Sequence, residues 1–398
     1  MRIAWFTSWR ELGCHHDDPA APGSSPGFPI LRRDTSCHDD LVTVERTVLL
    51  WFGRASQDAA THTNLSAVRT DGKVLWLAGD ETASIERLTA DDEDKPAEYG
   101  DERTFRLADL VTLPGDDPDE EADIEGIART GDFLWAVGSH SLRRRQIKEK
   151  HSGPKALKRL ARVTGQENRQ ILVRIPVVDV DGLPTLVAEA EIGGERHHAA
   201  AVANHDNLRE LLRYDEHLSP FLAIPSKDNG LDVEGIAVQG DRVYLGLRGP
   251  VLRGWAFVLE LRPYVNPAEP GRLRLREFED GLPYRKHVLD LDGLGVRDLC
   301  PSGDDILVLA GPTMALDGPV RIYRWRGACQ AAMPEIVRGD RIVRELELTY
   351  GEGDDHAEGI GLIGPAEDGR VLVVHDSPAA DRMTADGAIV ADIIRLPG

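Results

Sequence analysis

The sequence has 398 residues, of which 41% are hydrophobic and 29% charged, as in ordinary globular proteins. Its 68 acidic residues outnumber its 47 Lys and Arg, and the resulting formal charge of −21 argues against binding to nucleic-acid backbones. Because it contains no run of apolar residues long enough to span a membrane, no visible secretory signal and no C-x-x-C pair among four cysteines, we expect a cytoplasmic protein without nucleic-acid or membrane partners.

Residues 1–40 are rich in Pro, Gly, His and Asp and show no strand or helix periodicity. We expect them to form a flexible tail ahead of one domain, residues 41–398. From Thr43 onward, short β-branched and apolar runs alternate with Asp-Gly and Gly-Asp turns. This alternation is typical of many short strands joined by tight turns, and it predicts an all-β fold.

One unit, a strand, a tight turn and a second strand, recurs along the chain. Its clearest copies begin with Asp123-Ile-Glu-Gly-Ile-Ala128, Asp232-Val-Glu-Gly-Ile-Ala237 and His356-Ala-Glu-Gly-Ile-Gly361. Weaker copies begin at Asn64 and Val296, so the unit returns about every 60 residues with one gap nearly twice as long. Two predicted helical insertions, 148–163 and 204–218, fall in the long gap.

Repeated units of this size predict a β-propeller with helical insertions in its loops. Five blades are favoured, and six remain an alternative because the long gap has room for another unit. One isolated strand, 43–51, precedes the first unit, while the last unit ends with the strand 389–396. We expect the N-terminal strand to complete the last blade, because this removes an open sheet edge.

The repeat also predicts a cluster of acids. The first strand of each propeller blade lines the central channel, so the key positions of four units are expected to converge there: Glu125, Glu234, Asp298 and Glu358. Crowded carboxylates raise one another's pKa, and a hard divalent cation, most simply calcium, compensates them. The alternative is that each glutamate is structural, while the glycine after it lets neighbouring strands approach closely.

Loops expected at the same mouth of the channel supply further candidates. Arg248 and Arg253 flank a Gly-Pro turn, and they either orient an anionic substrate or neutralise Glu234 and its neighbours without a metal. His140, His356 and Asp376 are the candidate general acids and bases beside a metal-bound water.

A strongly basic segment lies within this acidic chain. From Arg143 to Arg169 there are ten Lys or Arg against two Glu. The segment is expected to recruit a small anionic ligand or an acidic protein surface. The alternative is a solvated amphipathic helix.

The segments 123–128 with Gly138-Ser-His-Ser141, and 233–237 with 247–255, resemble an uncharacterised bacterial family, domain of unknown function 3616, over residues 43–396. The resemblance implies no assigned reaction. More distantly, the Glu-Gly-Ile-Ala strand resembles metal-dependent propeller hydrolases, namely lactonases of the regucalcin type and esterase-like phytases. Apart from the glutamates and Asp298, the chain has no clear counterpart to the Asn and Asp metal ligands of regucalcin.

Two functions follow from this sequence. The first is a calcium-binding hydrolase of a small anionic ester, lactone or phosphoester. The second is a non-enzymatic scaffold or binding module that uses the same loop-rich face, since propellers host many functions.

Overall fold

Short strands joined by tight turns make up most of the computed structural model, as the alternation of apolar runs and Gly-Asp turns predicts. The structure describes residues 44–93, 95–148, 150–202, 206–365 and 368–397. The tail predicted for residues 1–40 lies outside these ranges. The fold is all-β, with several antiparallel sheets.

A parallel pairing at residues 49–50 joins two halves of one eight-stranded sheet, which we call the first and the fifth sheet. The first five strands lie in this sheet. They are β1 (Val44–Leu50), β2 (Leu65–Asp71), β3 (Val74–Gly79), β4 (Ser84–Ala90) and β5 (Glu98–Arg106). Strands β2 to β5 pair in chain order as antiparallel neighbours. A short helix, α1 (Arg54–Asp58), connects β1 to this sheet.

The next group forms a second sheet with several excursions. Its strands are β6 (Ile124–Thr130), β7 (Phe133–Gly138), β8 (Arg143–Arg144), β9 (Val163–Thr164), β10 (Leu172–Val180), β11 (Leu183–Leu186), β12 (Glu189–Ile192), β13 (Glu195–His198) and β14 (Ala200–Val202). Strands β6, β7, β10 and β14 form the sheet, and β8 pairs with β9 at the base of the basic insertion. Among the described residues, the α-helices of the predicted insertions are α2 (Gly153–Leu160) and α3 (Leu208–Leu211).

Two further sheets follow. The third has β15 (Asp232–Gln239), β16 (Arg242–Leu252), β17 (Trp255–Leu261) and β20 (Tyr284–Asp290), after an excursion through β18 (Pro263–Asn266) and β19 (Glu269–Leu275) that pairs with β14. The fourth has β21 (Gly295–Ser302), β22 (Asp305–Gly311), β23 (Val320–Trp325) and β25 (Ile342–Leu348), while β24 (Ile336–Val337) pairs with β20.

The last three strands, β26 (His356–Leu362), β27 (Arg370–Asp376) and β28 (Ile389–Arg395), pair in chain order. The outer strand β28 then pairs antiparallel with β1, from Val44 beside Ile394 to Leu50 beside Ile389. The first described strand therefore lies in the same sheet as the last three, where the sequence placed it.

The first strands of the five sheets contact one another in a cycle: β2 with β6, β6 with β15, β15 with β21, β21 with β26, and β26 with β2. Apolar side chains pack between neighbouring sheets. Trp76 and Val173 share one such core, Leu245 and Leu172 a second, and Tyr244 belongs to a third. The polar residues of the five first strands are thereby directed to the region that these strands surround.

In each sheet the second strand runs antiparallel to the first, so it ends where the first begins. We call this end of the five first strands the mouth. No helix in the described ranges has both the length and the apolar character needed to cross a lipid bilayer.

Candidate functional site

Each first strand is interrupted by a β-bulge near the mouth, at the position of the repeated glutamate. The bulged residues are Ser66, Glu125, Glu234, Arg297 and Glu358. A bulge leaves one residue out of the ladder and turns its side chain to a new direction. In the fourth sheet this residue is Arg297, one position before the Asp298 that the sequence repeat aligned with the glutamates.

The glycine after the bulge sits where first strands approach one another. A Cβ on Gly235 would lie 2.9 Å from the backbone nitrogen of Leu299, and one on Gly126 would lie 3.0 Å from Ile236. Only glycine fits at such distances without a shift of the neighbouring strand. This part of the Glu-Gly-Ile motif is therefore structural, as the alternative interpretation of the repeat proposed.

A single ion pair fills the centre below the mouth. Asp298 is fully buried and accepts hydrogen bonds from both terminal nitrogens of Arg69, at 2.9 and 2.8 Å. It also accepts from the backbone nitrogens of Ile360 and Leu299, at 2.9 and 2.7 Å. Arg69 in turn donates to the carbonyl oxygens of Val68 and Ile360, both at 2.6 Å. Burial raises the pKa of Asp298, and the Arg69 guanidinium opposes this.

Arginines also neutralise the acids of the third sheet. Arg248 contacts Asp232 at 2.7 Å and Glu234 at 2.5 Å, and all three are buried. Arg297 contacts Glu358 and lies 3.7 Å from Glu234. Burial raises the pKa of Glu234 to about 8 despite these arginines. The neutralising role that the sequence offered for Arg248 is the geometry observed here.

The second sheet differs, because Ser139 occupies the position that corresponds to Arg248. In the second sheet Ser139 follows Gly138, the partner of Ile124 just before the bulge. In the third sheet Arg248 follows Leu247, the partner of Val233 just before the bulge. Asp123 forms an ion pair with a different arginine, Arg169, at 2.6 Å. Glu125 is 8% exposed and has no ion pair or side-chain hydrogen bond with any residue in the described ranges.

Asp80, which directly follows β3, completes a group of acids around Glu125. One carboxylate oxygen from each of Asp80, Asp123 and Glu125 lies within 4.8 Å of the others. The buried Oδ1 of Asp80 accepts no hydrogen bond from described residues. We call these three residues the acidic triad. Their geometry can hold a cation.

Burial raises the pKa values of all three carboxyl groups of the triad. Burial raises the pKa of Glu125 well above its usual value, and the charges of Asp123, Glu234, Asp80 and Glu358 raise it further. Burial, followed by the charges of Asp123 and Asp376, raises the pKa of Asp80 to about 8. Burial raises the pKa of Asp123 to about 7, although Arg169 opposes the shift. At neutral pH, protonation or a bound cation would each relieve the repulsion among these carboxylates.

The four predicted metal ligands divide between different environments. Glu125 belongs to the triad, whereas Glu234 and Glu358 contact arginines. Both oxygens of Asp298 are used by Arg69 and by backbone amides below the mouth. The charges of Glu234 and Glu358 still act on Glu125, so these two glutamates lie close to the triad.

His140 is directed away from the mouth. Its φ of 54° is left-handed, so the strand alternation does not continue through it. Its ring lies in a small cavity lined mostly by leucines, among them Leu208 and Leu245. Burial lowers its pKa to about 3, which keeps the imidazole neutral.

The other predicted residues lie at the ends of loops and strands. Asp376 ends β27 at the position that corresponds to Asp80, and its backbone partner is His356. Burial and Glu358 raise the pKa of Asp376 to about 6. His356 lies 3.4 Å from Asp317. Arg253 is exposed in the turn between β16 and β17 and makes no ion pair with described residues.

The model for a protein family of unknown function, DUF3616, matches residues 64–392. The chain belongs to this family. The match begins after β1 and ends within β28, and it includes every residue of the acidic triad. No curated protein matches the sequence of this DUF3616 member.

Solved structures show weaker similarity. A pyrroloquinoline-quinone-bound aldose sugar dehydrogenase from Streptomyces coelicolor is 13% identical, with a TM-score of 0.37, and the alignment covers 89% of this chain and 98% of that one. The major Malassezia sympodialis allergen Mala s 1 is 8% identical, with a TM-score of 0.38 and coverages of 84% and 93%. The WD40 domain of Toxoplasma gondii coronin is 11% identical, with a TM-score of 0.29 and coverages of 90% and 90%. The architecture of this DUF3616 member therefore rests on its own strand pairing.

Sequence reasoning missed Asp80, Arg297 and Arg69. Asp80 directly follows the apolar strand 74–79, so extending the repeat by one residue past each second strand would have found it. Arg297 was hidden by the acid beside it, because a bulge shifts the facing residue by one position. No local pattern marks Arg69, whose carboxylate partner Asp298 lies in another sheet.

Proposed function

We propose that the five sheets are the blades of a five-bladed β-propeller closed by its N-terminal strand. The cyclic contacts of β2, β6, β15, β21 and β26 support this arrangement, and so does the pairing of β1 with β28. In such a ring the mouth of the channel carries the bulged residues of all five blades.

We further propose that the acidic triad binds one divalent cation, of which calcium fits best. The supporting observation is Glu125, a glutamate more than nine-tenths buried that faces two other carboxylates and has no cation among the described residues. An unpaired buried charge is costly, and a bound ion removes that cost. Calcium prefers oxygen ligands in flexible geometry, whereas the triad offers neither the nitrogen nor the sulfur ligands typical of zinc.

The reaction class proposed for this centre is hydrolysis of a small anionic ester, lactone or phosphoester. A bound cation would polarise the substrate oxygen and activate water. Asp376, whose charge acts on Asp80, is the candidate base because its raised pKa of about 6 lies near neutrality. Arg143, half exposed and paired with Glu121 beside the triad, is the candidate group for the anionic part of the substrate.

Thermal unfolding with calcium or with chelator tests the cation site. Calcium at about 100 times its dissociation constant stabilises a native protein by about 2.7 kcal/mol, so the melting temperature should rise by a few degrees. Glu125→Gln should abolish this rise. In chelator the same variant should unfold at a higher temperature than the wild type, because it removes the buried acid that lacks a partner.

Glu234→Gln is the matched control, since it changes the same residue type at the same bulge of the next sheet. This variant should keep the calcium response but lose stability, because Arg248 loses a buried partner. An unchanged wild-type melting temperature in calcium, or an equal loss of response in both variants, would contradict the proposed site.

Hydrolysis assays distinguish the proposed enzyme from a non-enzymatic binding module. Panels of carboxylic esters, lactones and phosphoesters should reveal calcium-dependent hydrolysis that Asp376→Asn reduces by about 100-fold or more. If calcium binds at the triad but no compound in these panels is hydrolysed, the ion has a structural role and the chain is a binding module.

A further inference from the structure

The basic insertion presents an apolar surface among unpaired positive charges. On and beside α2, Leu157 is 68% exposed, Leu160 42%, Ile147 46% and Val163 37%. Five exposed basic residues surround them and form no ion pair within the described ranges. These five residues are Arg145, Lys148, Lys155, Lys158 and Arg162. We call the nine residues together the basic patch.

This patch is anchored to the mouth. Arg144 contacts Asp228 at 2.6 Å, and Arg143 donates to both oxygens of Glu121, at 2.8 and 2.9 Å. The charges of Asp123 and Asp80 act on Arg143, which places the base of the insertion beside the acidic triad. The patch is therefore a built surface on the mouth face rather than a separate arm.

A second apolar surface on the mouth face carries the opposite charge. Leu316 is 66% exposed, Met314 46% and Tyr350 42%, and the acids beside them, Asp317 and Glu352, are exposed as well. The two loops that supply these residues lie side by side, because Val320 and Leu348 pair at the strand ends from which the loops depart. We call these five residues the acidic patch.

The two patches lie on non-adjacent sheets of the same face. The basic patch belongs to the connection between β7 and β10, whereas the acidic patch follows β22 and β25 in the fourth sheet. All these connections lie at the mouth, because second and fourth strands end there and third strands begin there. The first strands β6 and β21 do not contact each other in succession, since β15 lies between them.

We propose that the mouth face binds a second copy of this chain, with the basic patch of each copy on the acidic patch of the other. A twofold axis makes both contacts at once, because each copy offers the same pair of surfaces. Opposite charges bring the copies into register, and the exposed leucines and methionines supply apolar area that water otherwise covers. The assembly places the two acidic triads face to face and limits access to them.

An anionic membrane is the competing occupant of the basic patch. Charge disfavours it, because an acidic patch lies on the same face and would be brought against the anionic lipids. Helix α2 has only eight residues, which is short for an interfacial anchor.

Sedimentation velocity of the full chain over a range of concentrations and salt tests this proposal. The expected species is a dimer that dissociates as salt rises, because charge pairs guide its formation. Lys155→Glu with Lys158→Glu should weaken dimerisation by about tenfold or more, and Asp317→Lys with Glu352→Lys should do the same. Mixing these two double variants should restore a dimer, since every contact in the mixed pair again joins opposite charges.

The matched control is Lys95→Glu with Arg326→Glu, which changes the net charge equally at exposed positions that follow the third strands β4 and β23, at the end opposite the mouth. This control should dimerise like the wild type. A monomeric wild type at all concentrations would overturn the proposal, and so would two double variants that fail to associate when mixed. Binding of the monomeric wild type to phosphatidylserine vesicles, lost in Lys155→Glu with Lys158→Glu, would also overturn it and assign the patch to a membrane.

Discussion

Asp298 and Glu125 are both buried acids on first strands, yet their surroundings are opposite. Asp298 receives two hydrogen bonds from Arg69 and two from backbone amides. Glu125 has no such partner in the described ranges, and the charges that act on it are those of other acids. Asp298 is thus neutralised inside the fold, whereas Glu125 lacks a counter-charge among its own side-chain contacts in the described ranges.

The second and third sheets show the same contrast at matched positions. Arg248 neutralises Asp232 and Glu234, while its counterpart Ser139 provides no charge for Glu125. A difference of one residue in the repeat therefore decides whether the bulged glutamate belongs to an ion pair or to an acidic triad.

Removing the central arginine should have the largest effect. Arg69→Met leaves Asp298 buried without a counter-charge and four backbone carbonyl oxygens without their donor. We expect a loss of about 5 kcal/mol in the free energy of unfolding, measured with denaturant. Adding Asp298→Asn should recover part of this loss. If Arg69→Met costs less than about 1 kcal/mol, Asp298 is not an arginine-dependent acid and the contrast with Glu125 disappears.

Arg248→Ser makes the third sheet resemble the second. We expect a loss of about 4 kcal/mol in chelator, because Asp232 and Glu234 lose their shared partner. Calcium should restore more stability to this variant than to the wild type, since a second group of unpaired acids now faces the mouth. Equal calcium responses in the two proteins would show that unpaired acids alone do not form a cation site here.

Glu86 is a third kind of buried acid: it forms no ion pair with an arginine in the described ranges, and it accepts a hydrogen bond from Ser84 at 2.6 Å. Burial raises its pKa from 4.5 to about 7. Between these two pH values the native state keeps a proton on Glu86 that the unfolded chain releases. The stability that the protonated Glu86 contributes is therefore lost as pH rises from 4.5 to about 7. Relative to the wild type, Glu86→Gln should gain up to about 3 kcal/mol between pH 4 and pH 8. A gain that does not depend on pH would contradict this assignment.

The smallest effect is expected at Arg253, which is exposed and lacks an ion pair among described residues. Arg253→Ala should change the unfolding free energy by less than about 0.5 kcal/mol and leave the calcium response intact. Loss of the calcium response would show that Arg253 belongs to the site, for which the sequence predicted it as a substrate-binding residue.

The repeat made much of the fold predictable. The Glu-Gly-Ile units locate the first strands of three sheets, and the unpaired strand near Thr43 correctly suggested a partner for the last unit. The extent of the helical insertions was overestimated, because the described residues of segments 148–163 and 204–218 are α-helical only in α2 and α3. Charge and polarity are weak guides to helix length in connections that pack little apolar surface.

The site was only partly predictable, because counter-charges come from distant parts of the chain. Glu125 could be found from its motif. Its surroundings could not, because they depend on Ser139, which supplies no charge, and on Asp80, which comes from another sheet. His140 was expected to move protons, yet its left-handed backbone directs the ring into an apolar cavity. One-residue changes of direction at bulges and turns are set by three-dimensional packing and leave no periodic signal.

Anomalous diffraction from crystals soaked with terbium or manganese tests the central claim most directly. We predict one strong peak, from an ion bound by carboxylate oxygens of Asp80, Asp123 and Glu125. The distances between the ion and these oxygens should be about 2.3–2.6 Å, as for a calcium-like ion. A peak between Glu234 and Glu358 instead, or no peak at the triad with all three carboxylates visible, would contradict it.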